Sequence, residues 1–284
     1  MSSSALELRH NCVLKHLTTI KIGGQVPFFF IAHNMEGLQK VVKRLQGAYY
    51  LLGGGSNLLA SDGPIKKAVI KLGGGFDYIT SVDTTLEVGA CTMLSKVIRY
   101  TIQHKLAGFD NLAAIPATVG GLIAMNASAF GRGVTHFLKE IEVMDVNGTV
   151  KKIPKEEITL GYRQSSLQES IVLRAWFVLP RTANIKASVG YYIRERMKTQ
   201  DYQYPSCGCI FKNTASAAAG FLIDACGLKG LKKNDAQISM RHANFIINLK
   251  NASCDDVNYL IGHIKDAVYH KFGVMLEEEI QRWD

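Results

Sequence analysis

The segment Ile115–Gly133, IPATVGGLIAMNASAFGRG, limits the folds open to this chain more than any other stretch, because it is built almost wholly from glycine and small side chains. Its centre reads as a helix closely apposed to a neighbouring element. The helix N-terminus expected in this segment is also a place where free N–H groups and the helix dipole stabilise an anion. A second such element precedes it, Leu51–Leu59, LLGGGSNLL. Glycines without Cβ let successive N–H groups approach a phosphate, and Ser56 and Asn57 add side-chain donors. Each segment alone is also compatible with tight packing or a plain turn. Leu51–Leu59 is no Rossmann fingerprint, since Leu58 stands where a third glycine belongs, and no Gly-Lys-Ser/Thr follows to make a Walker loop.

The chain has 284 residues, 47% hydrophobic and 20% charged, values of a globular protein with room for two packed domains. No apolar run approaches the roughly 20 residues of a membrane span. The start, MSSSALELRH, lacks a basic region followed by an apolar stretch, so no signal peptide is expected and a cytoplasmic location follows. The net charge of +9 comes from scattered residues. It reads first as a solvated surface, next as a field for a small anionic ligand, and last as a nucleic-acid face, for which no motif is present. The six cysteines form no paired C-x-x-C sets, so no metal site is expected. Cys207-Gly208-Cys209 would place two thiols on one side of an unbroken strand.

Strand and helix signals alternate. Val26–Ala32 reads as a strand, Met35–Gln46 as an amphipathic helix, Tyr78–Val88 as one strand, and Asn147-Gly148 as a hairpin turn. The pattern changes after Pro180, which puts the main boundary near residue 184. Beyond it, Ser253-x-x-Asp256 opens a helix running to about Phe272, and Val274–Ile280 reads as a final strand. In that strand Glu277 and Glu279 share the face opposite Leu276, Glu278 and Ile280.

The ordered motifs GGGSNLL, IPATVGG…NASAFG, GYRQS, YPSCGCIFKN, HANFI and LEEEI resemble the UDP-N-acetylenolpyruvoylglucosamine reductase (MurB) family, from about Lys21 to Glu279. The resemblance implies an α+β chain: residues 1–184 form an FAD-binding domain of the vanillyl-alcohol-oxidase (PCMH) type, in subdomains of about 1–72 and 73–184. Residues 185–284 then form an α+β substrate domain whose last strand returns to the active site. The interval between Arg163 and Cys209 is too short for the extra tyrosine loop of one family type. The implied ligands are non-covalent FAD, NADPH as hydride donor, and a UDP-sugar enolpyruvate, with neither nucleic acid nor membrane insertion, in a monomer.

The resemblance assigns cofactor binding to Gly53, Gly54, Gly55, Ser56, Asn57, Pro116, Thr118, Gly120, Gly121, Asn126 and Ser128. It assigns substrate binding to Arg196 (with Lys198 as the alternative diphosphate contact), Lys212, Asn213, Gln237 and Asn244. Arg163 and Glu279 are expected at the substrate carboxylate, where charge grows as hydride arrives. Proton donation falls to Cys209, where the family usually has serine; a thiol with an ordinary pKa of about 8.5 stays mostly protonated near neutrality. Ala117 and Ser128 stand where glycine is usual, and Asp201 where proline is usual. Lys229–Asp235 also lacks the usual glycine-rich step. Two rival readings remain on sequence alone, another FAD oxidoreductase of the same fold and a basic binding protein without catalysis.

Overall fold

The structure is a computed structural model that describes residues 5–167 and 169–284. The chain divides into two compact units. The first gathers the chain up to His10, Phe28–Gly54 and Lys67–Glu195; the second gathers Asn11–Pro27, Gly55–Lys66 and Arg196–Asp284. The two units part between Glu195 and Arg196, inside the helix Ile185–Thr199. Ile20, Ile22 and Leu59 lie in the core formed mainly by the C-terminal residues, and local periodicity carries no trace of that.

In the first unit, the strands Leu6–Val13, Gln25–Ala32, Ala68–Leu72 and Tyr49–Leu52 lie side by side in that order. The last three run parallel, which requires a crossover, and the helix Met35–Leu45 supplies it. Asn34 caps that helix by accepting from Gly37 N, and Leu38, Val41 and Val42, at helical spacing, bury its inner face. A second, antiparallel sheet has the order Val150–Pro154, Leu138–Met144, Ile171–Val178, Thr85–Gly89 and Ile79–Val82. The Asn147-Gly148 turn is present, with Asp145 Oδ1 accepting from the N–H groups of Asn147 and Thr149. The segment read as one strand from Tyr78 to Val88 is instead a hairpin. Asp83 turns it at a φ of 53°, a left-handed conformation that aspartate tolerates better than most residues.

In the second unit, Ser206–Cys209, Phe245–Asn248, Ala236–Ile238 and Lys232–Lys233 form an antiparallel sheet in that order. The helix Cys254–Phe272 opens with a reciprocal capping box between Ser253 and Asp256 and ends at Gly273, whose φ is 67°. It buries Val257, Leu260, Ile261, Ile264 and Val268. Val274–Ile280 does not form the expected strand. Only Glu278 makes a bridge there, to Phe211, and the regular strand is Gln281–Trp283, parallel to Leu58–Ala60.

One buried carboxylate fixes the loop region of the first unit. Asp110 accepts from Arg132 Nη2 and from Ser188 Oγ, each at 2.5 Å. Burial drives its carboxyl upward, but the Ser188 hydroxyl and the Arg132 guanidinium outweigh that and hold it below the ordinary 3.8. A depressed folded pKa contributes stability above the ordinary carboxylate range, and that stability is lost as pH falls through the folded value. Asp110→Asn is therefore expected to cost about 2 kcal/mol at neutral pH, less than a fully buried pair because Arg132 keeps some exposure. Urea unfolding should show this cost shrinking as pH is lowered below about 4; a variant whose deficit is independent of pH would contradict the ion-pair account.

Candidate active site

Arg163 sits at the tip of a short hairpin, Leu160–Gly161 against Gln164–Ser165, with a φ of 57°. Three side-chain contacts stitch this hairpin to the small-residue segment. Ser165 Oγ donates to Ala124 O at 2.8 Å, and Asn126 Nδ2 donates to Gly161 O at 2.9 Å. Arg163 Nη1 donates to Ser128 O at 3.1 Å and to Ser128 Oγ at 2.8 Å. The guanidinium also lies 5.2 Å from the Tyr162 ring centroid, within cation–π range. Asn126 and Ser128, expected at the cofactor, thus direct these side-chain groups toward the Arg163 hairpin.

The two glycine-bearing segments of the first unit pack backbone to backbone. A Cβ on Gly54 would lie 2.9 Å from Pro116 O and 3.3 Å from Ala117 Cα, and one on Gly53 would lie 3.0 Å from Thr118 Oγ1. The helix Val119–Ala124 follows, capped by Thr118. Its first N–H groups are not free, contrary to the reading from sequence. Val119 N donates to Thr92 O, Gly120 N to Ala90 O and Gly121 N to Thr118 Oγ1. Gly120 packs closely, since a Cβ there would fall 3.0 Å from Ala90 Cβ. The N–H groups of Gly54, Gly55, Ser56 and Asn57, by contrast, donate to no protein acceptor among the described residues. Gly55 takes a φ of 65°, and a Cβ there would meet Leu17 O at 2.3 Å.

In the second unit the strand Ser206–Cys209 is bulged. Ser206 pairs with Ile247 and Cys209 with Phe245, and Gly208 takes a φ of 81°. The bulge breaks the alternation that would have placed both thiols alike. Cys207 enters the core, where burial pushes its thiol up to about 12, while Cys209 is half-buried. The C-terminal segment runs antiparallel beside it: Glu279 N donates to Ile210 O and Lys212 N to Glu277 O, both at 2.8 Å. Asn57 Nδ2 clasps the same segment through Glu279 O at 3.1 Å.

The three glutamates divide their tasks without the strand alternation that was expected. Glu277 is exposed and meets Lys212 Nζ at 3.2 Å. Glu278 bonds Lys265 at 2.6 Å and Arg282 at 2.7 Å, and burial, which raises its pKa, is outweighed by these two cations. Glu279 is half-buried and carries the backbone bonds next to the Cys209 strand.

The expected substrate residues are less uniform. Asn244 is buried, and its amide both donates to Phe211 O and accepts from Phe211 N, so it holds the strand rather than reaching outward. Asn213 Oδ1 accepts from Ala219 N at the start of the helix Ala219–Ala225, and Gln237 Nε2 donates to Gly230 O. Arg196 is buried and reaches Gln200 Oε1 at 3.4 Å, whereas Lys198 is exposed.

Residues 27–154 match the profile of an FAD binding domain, and residues 200–283 match that of the UDP-N-acetylenolpyruvoylglucosamine reductase C-terminal domain. The UDP-N-acetylenolpyruvoylglucosamine reductase of Halalkalibacterium halodurans is 36% identical over 97% of this chain and 94% of its own length. That of Anoxybacillus flavithermus is 36% identical over 93% of this chain and 90% of its own. This chain belongs to the UDP-N-acetylenolpyruvoylglucosamine reductase family. The crystal structure of the MurB reductase from Thermus caldophilus superposes on it with a TM-score of 0.86 at 33% identity, covering 98% of this chain and all of that one.

The residues present fit FAD, the family's cofactor. A run of N–H groups without protein acceptors suits a diphosphate, and the backbone approach at Gly54 is one that a side chain would fill. Sequence reasoning missed Asp110, Asn111 and Arg132. Asn111 Nδ2 donates to both Ala129 O and Arg132 O and so braces the ribbon Ser128–Gly133. Asp110 and Asn111 lie just before the small-residue segment and Arg132 near its end, and that closeness was their only signal.

Gly54→Ala should part the two glycine-bearing segments, because both opposing atoms are backbone and cannot swing aside. The purified variant is expected to fold but to carry severalfold less flavin per mole of protein, read from its visible absorbance. Full flavin occupancy would contradict the close approach as a requirement for the cofactor.

Proposed function

We propose that this chain catalyses the NADPH-dependent reduction of UDP-N-acetylglucosamine enolpyruvate to UDP-N-acetylmuramate, a step of peptidoglycan synthesis, as a cytoplasmic monomer. Membership of the reductase family over nearly the whole chain carries this reading. Among the described residues no helix is long and apolar enough to cross a membrane. FAD, reduced by NADPH, supplies the hydride for C3 of the enolpyruvyl group.

The chain's own task is to make an enol ether conjugated to a carboxylate accept that hydride. Negative charge accumulates on the carboxylate as hydride arrives. The planar Arg163 fork binds that carboxylate, and the Glu279 carboxyl acts at the same group. Preorganised donors of this kind are worth about 3 kcal/mol each. The Cys209 thiol then delivers a proton to C2. Cys207, two residues earlier, is a poor candidate for that proton, since its side chain is enclosed in the hydrophobic core.

The test of the reaction is NADPH oxidation by the purified flavoprotein with and without UDP-N-acetylglucosamine enolpyruvate. Oxidation that depends on the enolpyruvate and yields UDP-N-acetylmuramate is the expected result; oxidation indifferent to it would sink the reading. The proton donor has its own test in stopped-flow absorbance. Cys209→Ser restores a hydroxyl and should keep turnover. Cys209→Ala should be bleached by NADPH normally and then recover on substrate addition about 10² to 10⁴ times more slowly. Alanine reoxidising at the wild-type rate would reduce Cys209 to a packing residue.

A further inference from the structure

We propose that the Ser128 side chain is a positioning residue for Arg163, setting the guanidinium where the substrate carboxylate must meet it. The proposal rests on the role given to Arg163 above. An arginine on a hairpin tip has several rotatable bonds, and its fork works only if held within a fraction of an ångström. Here a single nitrogen, Nη1, is held from two directions, by Ser128 Oγ at 2.8 Å and by Ser128 O at 3.1 Å. The carbonyl bond needs no particular side chain. The hydroxyl bond does, and glycine or alanine could not make it.

Ser128 is itself firmly placed. It pairs with Gly133 in the ribbon Ser128–Gly133. Asn111 Nδ2 grips that ribbon at Ala129 O (2.7 Å) and Arg132 O (2.8 Å), and the buried Asp110 holds the Arg132 side chain. On the other side, Asn126 accepts from Thr135 Oγ1 at 3.1 Å and donates to the hairpin at Gly161 O. Both the backbone of the hairpin and the ribbon opposite it are therefore fixed. What the Ser128 hydroxyl adds is the orientation of the guanidinium between them.

A hydrogen bond from a charged donor, once lost, shows as about a tenfold change when the held group acts in the transition state. The experiment is stopped-flow on the holoenzyme, following flavin reduction by NADPH and reoxidation by UDP-N-acetylglucosamine enolpyruvate separately. Ser128→Ala, Ser128→Thr, Arg163→Lys and the double variant Ser128→Ala/Arg163→Lys are compared. Ser128→Ala should keep its flavin and its melting temperature, be reduced within about twofold of the wild-type rate, and reoxidise about tenfold more slowly. Calorimetric affinity of the oxidised enzyme for the substrate should change by less than about threefold, placing the loss in kcat rather than KM. Ser128→Thr, which keeps the hydroxyl, should recover most of the rate.

In the Arg163→Lys background, Ser128→Ala should add less than about twofold, because the group it positions has gone. Wild-type reoxidation in Ser128→Ala alongside a slow Arg163→Lys overturns the proposal and leaves the role of Arg163 standing. An undiminished effect in the Lys background, or equal slowing of both half-reactions, also overturns it. Full-rate reoxidation by Arg163→Lys removes the role of Arg163 and this proposal with it.

Discussion

Two backbone hydrogen bonds, Glu279 N to Ile210 O and Lys212 N to Glu277 O, fix the register of the C-terminal segment in the second unit. They lay the C-terminal segment antiparallel beside the strand that ends at Cys209. Neither depends on a side chain, so the register survives substitution at the glutamates themselves. Around this pairing the side chains have distinct tasks. Glu278 is consumed by Lys265 and Arg282, Asn57 clasps the segment from beneath, and Asn244 ties down Phe211 on the neighbouring strand. Glu279 is the glutamate whose backbone is fixed at both N–H and C=O.

The first unit achieves placement by another route. Its small-residue segment makes close contacts on two sides, with Gly53 and Gly54 through Pro116–Thr118, and with the Arg163 hairpin through Ala124, Asn126 and Ser128. One segment therefore touches both the Gly53-Gly54 turn and the Arg163 hairpin. The helix that follows Thr118 contributes shape rather than free N–H groups, because its first turn is satisfied by Ala90, Thr92 and Thr118.

Local signals were legible where a residue's structure is set by its neighbours. The helix around Val41, the turn at Asn147-Gly148 and the capping box at Ser253 all follow from short-range patterns. What escaped was set by distant residues. The enclosure of Ile20, Ile22 and Leu59 in the C-terminal core joins parts of the chain that local periodicity treats as unrelated. The bulge at Gly208 reverses the sense of alternation, so Cys207 and Cys209 part company although the spacing suggests the same face. The strand expected at Val274–Ile280 was displaced to Gln281–Trp283, since Leu58–Ala60 offers its edge only there. The motifs that carry Arg163, Cys209 and Glu279 are visible in the sequence in order. The bracing by Asp110 and Asn111 was not visible there, because neither belongs to a motif and their contacts reach residues distant in sequence.

The central claim is that substrate chemistry is carried by groups distinct from those that hold the flavin. Glu279→Ala tests it most directly, since the backbone bonds that place the segment are untouched by the change. Rapid-mixing absorbance should show flavin reduction by NADPH at the wild-type rate and reoxidation by UDP-N-acetylglucosamine enolpyruvate slowed by about 10² or more. Reoxidation at the wild-type rate, or parallel loss in both half-reactions, would contradict the account.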